Sequence, residues 1–147
     1  MIGFIKKAVM SLMALFVCTT ALAGGGATKS NKTSSFDWNP VMDAIIKVES
    51  EGNPRAVSGN SVGVMQITPI LVKECNNILS KLKSKKRYTL DDRYSVEKSK
   101  EMFLLIQSYF NPENNVEKAI RSWNGGRNYS VRVTNSYYQK VIARMNK

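Results

Sequence analysis

The sequence predicts an α+β domain that is mainly helical and occupies residues 36–147. Apolar residues recur at helical spacing in several segments, as is typical of amphipathic helices. Gly, Pro and Asn separate these segments, and strand signals are sparse. One irregular or β-like region is expected near residues 57–68. A chain of 147 residues can form one domain with a modest core.

The first helix is predicted over residues 40–50. Asn39 is a candidate N-cap, and Pro40 suits the first helical turn. Gly52 and Pro54 end the helix.

A loop over residues 53–69 follows the first helix. Four more helices are then predicted, over residues 69–82, 95–110, 116–123 and 134–145. Asn111-Pro112 separates the third helix from the fourth, and Asn124-Gly125-Gly126 ends the fourth.

Residues 1–23 have the pattern of an export signal. Lys6 and Lys7 precede a short apolar run, and Ala21-Leu22-Ala23 matches a small-x-small cleavage site. A membrane anchor is the alternative, although the run is short for a span of about 20 residues. A second alternative is a lipoprotein attached through Cys18. Either export route predicts a periplasmic or cell-envelope location.

Residues 24–35 are predicted to be a flexible linker, because they are rich in Gly, Ser, Thr and Lys. The net charge of +11 favours anionic partners: nucleic acid, lipid headgroups or an acidic wall polymer. Export makes wall material the expected partner, with nucleic acid disfavoured. The chain is expected to be a monomer.

The composition restricts the available chemistry. The chain has no histidine, which excludes His-based triads and His-ligated metals. The two cysteines, Cys18 and Cys75, cannot form a zinc cluster, and Cys75 is expected to be a small buried residue. No metal and no cofactor are predicted, so acid–base chemistry falls mainly to carboxylates.

Two glutamates close together, Glu49 and Glu51, have different predicted environments. Met42, Ile45, Ile46 and Glu49 fall on one helix face. At about 100° per residue, Glu51 lies about half a turn away. Glu49 should therefore face the core or a cleft, and Glu51 should face water.

Burial and the end of a helix both favour the protonated form of a carboxyl at Glu49. A protonated carboxyl is what a general acid for glycoside cleavage requires. The alternative is a Glu that pairs with Lys or Arg at a crowded helix end.

Three blocks give a family resemblance. The first contains Glu49-Ser50, Asn53-Pro54, Ala56-Val57-Ser58, Gly63-Val64-Met65-Gln66 and Pro69; the others are AIRSWNGG at 119–126 and TNSYYQKV at 134–141. In this order they resemble the motifs of lytic transglycosylases of the soluble, lysozyme-like (SLT domain) family. The resemblance implies a goose-type lysozyme fold with a glycan cleft.

The resemblance also implies an activity. Peptidoglycan strands would be cleaved at the β-1,4 bond between N-acetylmuramic acid and N-acetylglucosamine, with a 1,6-anhydro product. Glu49 matches the family's catalytic acid/base. The predicted substrate-binding residues are Ser58, Met65, Gln66, Trp123, Asn124 and Tyr137. Three alternatives stay open: Ser58 as a turn cap, Met65 as core and Gln66 as a support for the loop.

The chain departs from the family pattern at three places. Trp123 stands where the family usually has a tyrosine, the loop over residues 58–63 is one residue shorter than the commonest version, and Val133 replaces a usual Glu. Such enzymes often serve secretion or conjugation machines, so such an apparatus is a candidate partner. The alternative functions are a hydrolytic lysozyme on the same fold and a non-catalytic peptidoglycan-binding protein.

Overall fold

The structure is a computed structural model that describes residues 36–146. The predicted signal at 1–23 and the predicted linker at 24–35 lie outside the described residues. The described chain forms α1 (Asn39–Ser50), β1 (Val57–Ser58), β2 (Ser61–Val62), α2 (Pro69–Lys81), α3 (Val96–Phe110), α4 (Val116–Gly125) and α5 (Val131–Met145). A 3-10 turn, Asp91–Tyr94, precedes α3. This composition confirms the predicted mainly helical α+β class.

Four of the helices begin at a side-chain cap. The capping oxygen accepts the backbone N–H three residues further on, which satisfies a donor that the helix leaves free. The caps are Thr68, Ser95, Asn115 and Ser130. Because Ser130 caps α5, this helix begins at Val131, three residues before the predicted start at 134.

The predicted cap of α1 is wrong. Asn39 lies inside the helix, and both its backbone N–H and its side-chain amide donate to Asp37 Oδ1, at 3.0 and 2.8 Å. The amide is thus a donor to the preceding loop and caps no N–H of the first turn.

The β-like region near residues 57–68 is confirmed as a short hairpin. Strand β1 pairs antiparallel with β2, with Val57 opposite Val62 and Ser58 opposite Ser61. An isolated bridge between Val62 and Ile67 folds the chain back after the hairpin. The hairpin therefore connects the end of α1 to the start of α2 through a compact loop.

The core lies between the five helices and includes apolar residues of the loop that follows the hairpin. Helix α1 packs on α5, α5 packs on α4, and α2 packs on α3. Phe103 of α3 is fully buried, with its ring centroid 5.6 Å from that of Trp38 and 5.2 Å from that of Trp123. Cys75 is also fully buried, as expected, and burial raises the pKa of its thiol to about 12.

Between residues 36 and 146 there is no helix with the length and hydropathy that a membrane span needs.

Candidate functional site

The two glutamates at the end of α1 differ in environment. Glu49 lies in the last helical turn and is half-buried. Glu51 follows the helix end, with 71% of its side chain exposed, and pairs with Arg144 at 3.3 Å. The predicted difference in burial is confirmed. Helix phase turns Glu49 toward the domain, whereas Glu51 is the left-handed residue (φ 54°) that ends the helix and lies in water.

Tyr137 of α5 contacts Glu49 directly. Its hydroxyl donates a hydrogen bond to Glu49 Oε1 at 2.6 Å. Burial raises the pKa of the Glu49 carboxyl, because desolvation disfavours its charged form, and the hydrogen bond from Tyr137 lowers this pKa by a smaller amount. Burial, with the nearby Glu49 charge, raises the pKa of Tyr137, so the phenol keeps its proton.

Glu49 faces a cleft of ≈ 240 Å³. Its walls come from the end of α1, the hairpin, the start of α2 and the end of α4. The lining residues are Glu49, Ser58, Ser61, Gln66, Thr68, Leu71, Trp123 and Asn124. Glu49 is the only carboxylate in this lining within residues 36–146.

The two oxygens of the Glu49 carboxyl are not equivalent. Oε1 accepts the hydrogen bond from the Tyr137 hydroxyl, whereas Oε2 has no hydrogen-bond partner among the described residues. A proton on Oε2 would therefore be available to a ligand in the cleft. The site can present one polarised carboxylic acid on a half-buried wall.

Ser50 connects the end of α1 to the hairpin loop. Its hydroxyl donates to Val64 O at 2.8 Å, and its oxygen accepts the N–H of Gly52 at 3.2 Å. These bonds fix the loop wall relative to Glu49. The Glu49-Ser50 pair was part of the sequence resemblance, but the pattern alone did not indicate this tethering role.

Gln66 both supports the loop and lines the cleft. Its amide nitrogen donates to Gly63 O at 2.9 Å and to Ala56 O at 3.3 Å. Because both of its N–H groups are used, only Oε1 is left for a ligand, as an acceptor. Gln66 also adopts φ 51°, a left-handed backbone that is costly for a residue with a side chain. The supporting role and the predicted cleft position therefore coexist.

Trp123 forms the opposite wall. Its indole N–H donates to Met65 O at 3.3 Å, and its ring packs on Phe103. In this chain Tyr137 donates to Glu49, while Trp123 ties α4 to the hairpin loop.

Two of the predicted substrate-binding residues lie outside the cleft lining in the described part of the chain. The Met65 side chain is fully buried, so it belongs to the core and does not line the cleft. Tyr137 is also outside the cleft lining within residues 36–146, and its hydroxyl donates to Glu49.

Four predicted residues, Ser58, Gln66, Trp123 and Asn124, do lie together with Glu49 along the cleft. Ser58 makes no side-chain hydrogen bond within residues 36–146, so its hydroxyl caps no turn there and is available to a ligand. The cleft is also lined by Ser61, Thr68 and Leu71, which no sequence motif indicated as site residues. Thr68 also caps α2, since its side-chain oxygen accepts the N–H of Leu71.

Among the described residues, no group of three or more His, Cys, Asp or Glu side chains could hold a metal ion. The chemistry that these side chains offer is proton transfer at a single carboxyl, with hydroxyl and amide groups nearby.

The family model of the transglycosylase SLT domain matches residues 27–146. No curated protein and no solved structure gives a significant match.

Proposed function

We propose that this chain is an exported enzyme that cleaves the β-1,4 bond between N-acetylmuramic acid and N-acetylglucosamine, with Glu49 as acid and base. The chain belongs to the transglycosylase SLT domain family. Family membership supports lytic transglycosylase activity on peptidoglycan in general. The choice of bond, the role of Glu49 and export are the specific parts of the proposal.

The observation that carries the proposal is the lone carboxyl of Glu49 in the cleft. A hydrolase of the usual kind needs two carboxyls, one as acid and one as base or nucleophile. Within residues 36–146 the cleft lining offers only one. A transglycosylase needs only one, because the 6-hydroxyl of the muramoyl residue replaces water and its 2-acetamido group assists.

In the first half of the reaction, protonated Glu49 donates its proton to the glycosidic oxygen. The bond from this oxygen to the anomeric carbon breaks, and the departing N-acetylglucosamine keeps the proton. The raised pKa of Glu49 supports this step, since it enlarges the protonated fraction at neutral pH.

In the second half, the Glu49 carboxylate takes the proton of the 6-hydroxyl while that oxygen bonds to the anomeric carbon. The 1,6-anhydro ring forms, Glu49 regains its proton, and no water is consumed. Two groups of the cleft are suited to hold the acetamido group. The Ser58 hydroxyl can donate a hydrogen bond to its carbonyl, and Gln66 Oε1 can accept one from its N–H.

Export rests on residues 1–23, and it would bring the domain to peptidoglycan. The excess of Lys and Arg, 22 against 11 acids, favours binding to an anionic wall polymer. A secretion or conjugation apparatus remains a candidate partner on the grounds of the family resemblance.

Substituting Glu49→Gln tests the assignment, with Glu51→Gln as the matched control. Loss of the general acid should lower the rate of release of soluble fragments from purified peptidoglycan by about 10²–10⁴-fold. Glu51→Gln makes the same substitution two residues away on an exposed side chain, and it should keep most of the activity. Equal release by wild type and Glu49→Gln would show that Glu49 is not the acid.

A further inference from the structure

The end of α2 and the loop after it carry five cations and no acid. We call residues 81–87, with the sequence KLKSKKR, the basic loop. All five of its cations are exposed, and none of its residues lines the cleft in the described part of the chain. Helix α2 begins beside the cleft at Pro69 and ends at Lys81, which is about 18 Å away at the rise of an α-helix. The basic loop is therefore a surface separate from the cleft.

Two of the five cations have partners within the domain. Lys86 pairs with Glu101, and the Arg87 guanidinium donates to two carbonyls of the loop, at 2.7 and 2.6 Å. Glu101 also pairs with Lys98 at 3.1 Å, so two cations meet this one acid. The other three cations take part in no salt bridge within residues 36–146: Lys81, Lys83 and Lys85. The surface at the basic loop thus keeps a positive charge.

Lys83 has a backbone conformation that suits glycine better than lysine. Its φ is 55°, its N–H donates to Ser80 O at 3.0 Å, and the N–H of Ser84 donates to Leu79 O at 2.9 Å. These two bonds form a Schellman motif, in which glycine commonly takes the left-handed position because a Cβ there is unfavourable. A cation therefore stands where glycine would give a more stable fold. A strained residue of this kind indicates a function outside the fold.

Apolar side chains lie among the three lysines. Leu82 is 57% exposed between Lys81 and Lys83, and Tyr109 of α3 is 37% exposed, with Lys81 Nζ 5.8 Å from its ring centroid. A dissolved polyanion would be held by the cations alone and would gain little from an exposed leucine. A lipid surface makes use of both kinds of side chain. Its phosphates attract the cations, and its headgroup region accepts leucine and tyrosine.

We propose that the basic loop binds the surface of a membrane that contains anionic phospholipids. Lys81, Lys83 and Lys85 contact the lipid phosphates, and Leu82 enters the headgroup region. Because the loop lies at the far end of α2, the domain stays bound with the cleft at Glu49 uncovered. This contact requires no catalysis, so it goes beyond the proposed function.

Co-sedimentation of the full chain with phosphatidylglycerol vesicles tests the role of the charges. A variant with Lys81→Gln, Lys83→Gln and Lys85→Gln should bind on the order of 100-fold more weakly than wild type, at about fivefold per lysine. Binding by wild type should also weaken as salt is added. Residues 1–35 are the same in every variant, so a difference between variants does not arise from them.

The matched control removes three exposed cations from α1 and α5. They take part in no salt bridge within residues 36–146, and the substitutions are Lys47→Gln, Arg132→Gln and Lys140→Gln. This variant has the same net charge as the first and should bind nearly as tightly as wild type. Equal losses in the two variants would overturn the proposal, because net charge alone would then explain the binding.

Lys83→Gly separates binding from folding. Since glycine is favoured at this left-handed position, the urea midpoint should equal or exceed that of wild type. Binding to the same vesicles should nevertheless fall about fivefold, because one cation is lost. Unchanged binding would contradict the proposed contact.

Leu82→Ser distinguishes a lipid surface from a dissolved polyanion. It should lower binding to the vesicles about fivefold, and it should leave binding to polyphosphate unchanged because all five cations remain. If this variant binds vesicles as tightly as wild type, the loop is a polyanion site and the membrane proposal is wrong. Glu49→Gln should bind vesicles like wild type, so this test is independent of the proposed catalysis.

Discussion

The Glu49 carboxyl is held from behind by Tyr137, a residue 88 positions further along the chain. The phenol donates to Oε1 and so fixes the carboxyl, while Oε2 has no hydrogen-bond partner among the described residues. Tyr137 is not among the residues that line the cleft within residues 36–146, and we therefore propose that it is a positioning residue. It also sets the pKa of Glu49, because a hydrogen bond to the carboxylate stabilises the charged form.

Removal of this hydroxyl should change the pH dependence of the reaction. In Tyr137→Phe the lowering effect is lost, so the pKa of Glu49 rises further above its ordinary value. The rate falls as Glu49 loses its proton, and hence the alkaline limb of the kcat/KM profile should move to higher pH. The maximal rate should fall about tenfold, since the carboxyl is no longer oriented.

Tyr138→Phe is the matched control for Tyr137→Phe. Tyr138 is the next residue on α5, and its hydroxyl makes no hydrogen bond within residues 36–146, while its ring lies under Arg121. Its profile should coincide with that of wild type. An alkaline limb of Tyr137→Phe that stays in place or moves to lower pH would contradict the assigned role.

At the scale of single residues, the local sequence pattern predicted which side chains are buried, but not which groups they bond to. The stripe of Met42, Ile45 and Ile46 was enough to separate Glu49 from Glu51, since helix phase depends only on neighbours in sequence. The bond from Tyr137 to Glu49 depends on the packing of α1 against α5, which no local pattern contains. The burial of Met65 could not be predicted for the same reason, because an apolar residue beside a cleft can face either side of its loop.

At the element scale, the hairpin loop is the part of the cleft with the strictest backbone requirement. Gly63 has φ 80°, and a Cβ added there would lie 1.8 Å from Arg93 O. Arg93 is buried and donates to Leu90 O at 2.7 Å, Asn60 O at 3.2 Å and Ile67 O at 3.3 Å. The 3-10 turn thus holds the hairpin and the following loop together, at the position where Gly63 approaches it.

Gly63→Ala should therefore lower the free energy of unfolding by roughly 3 kcal/mol or more. The added methyl would collide with the Arg93 backbone, and the alanine would also have to adopt a left-handed φ. Gly59→Ala is the control: Gly59 also has positive φ, 56°, but its added Cβ would meet no atom within 4 Å. That variant should lower the free energy of unfolding by only about 1–2 kcal/mol. Urea unfolding of both variants measures the difference, and equal losses would show that the contact with Arg93 is not limiting.

Helix positions were the most predictable elements, because apolar spacing and breakers are local. All five predicted helices occur in the structure, with shifts of up to three residues at their ends. The 3-10 turn was not predicted, since a single turn has too few residues to show a period. Its role depends on Arg93 reaching two carbonyls far away in sequence, those of Asn60 and Ile67, and these contacts become visible only in the folded domain.

At the scale of the whole molecule, the cleft is assembled from both halves of the domain. Glu49, the hairpin and the start of α2 come from the first half, and Trp123 and Asn124 come from the second. Tyr137 on α5 completes the contact behind Glu49. The proposed chemistry thus requires the whole fold, and the sequence blocks that carry the resemblance are the segments that meet at this cleft.

The most direct test of the proposed single-carboxylate mechanism is mass spectrometry of peptidoglycan digested in isotopically labelled water. A transglycosylase that uses only Glu49 and the 6-hydroxyl predicts fragments with 1,6-anhydro ends and no labelled oxygen. Fragments with labelled reducing ends would contradict the mechanism, because they require a water nucleophile in place of the 6-hydroxyl.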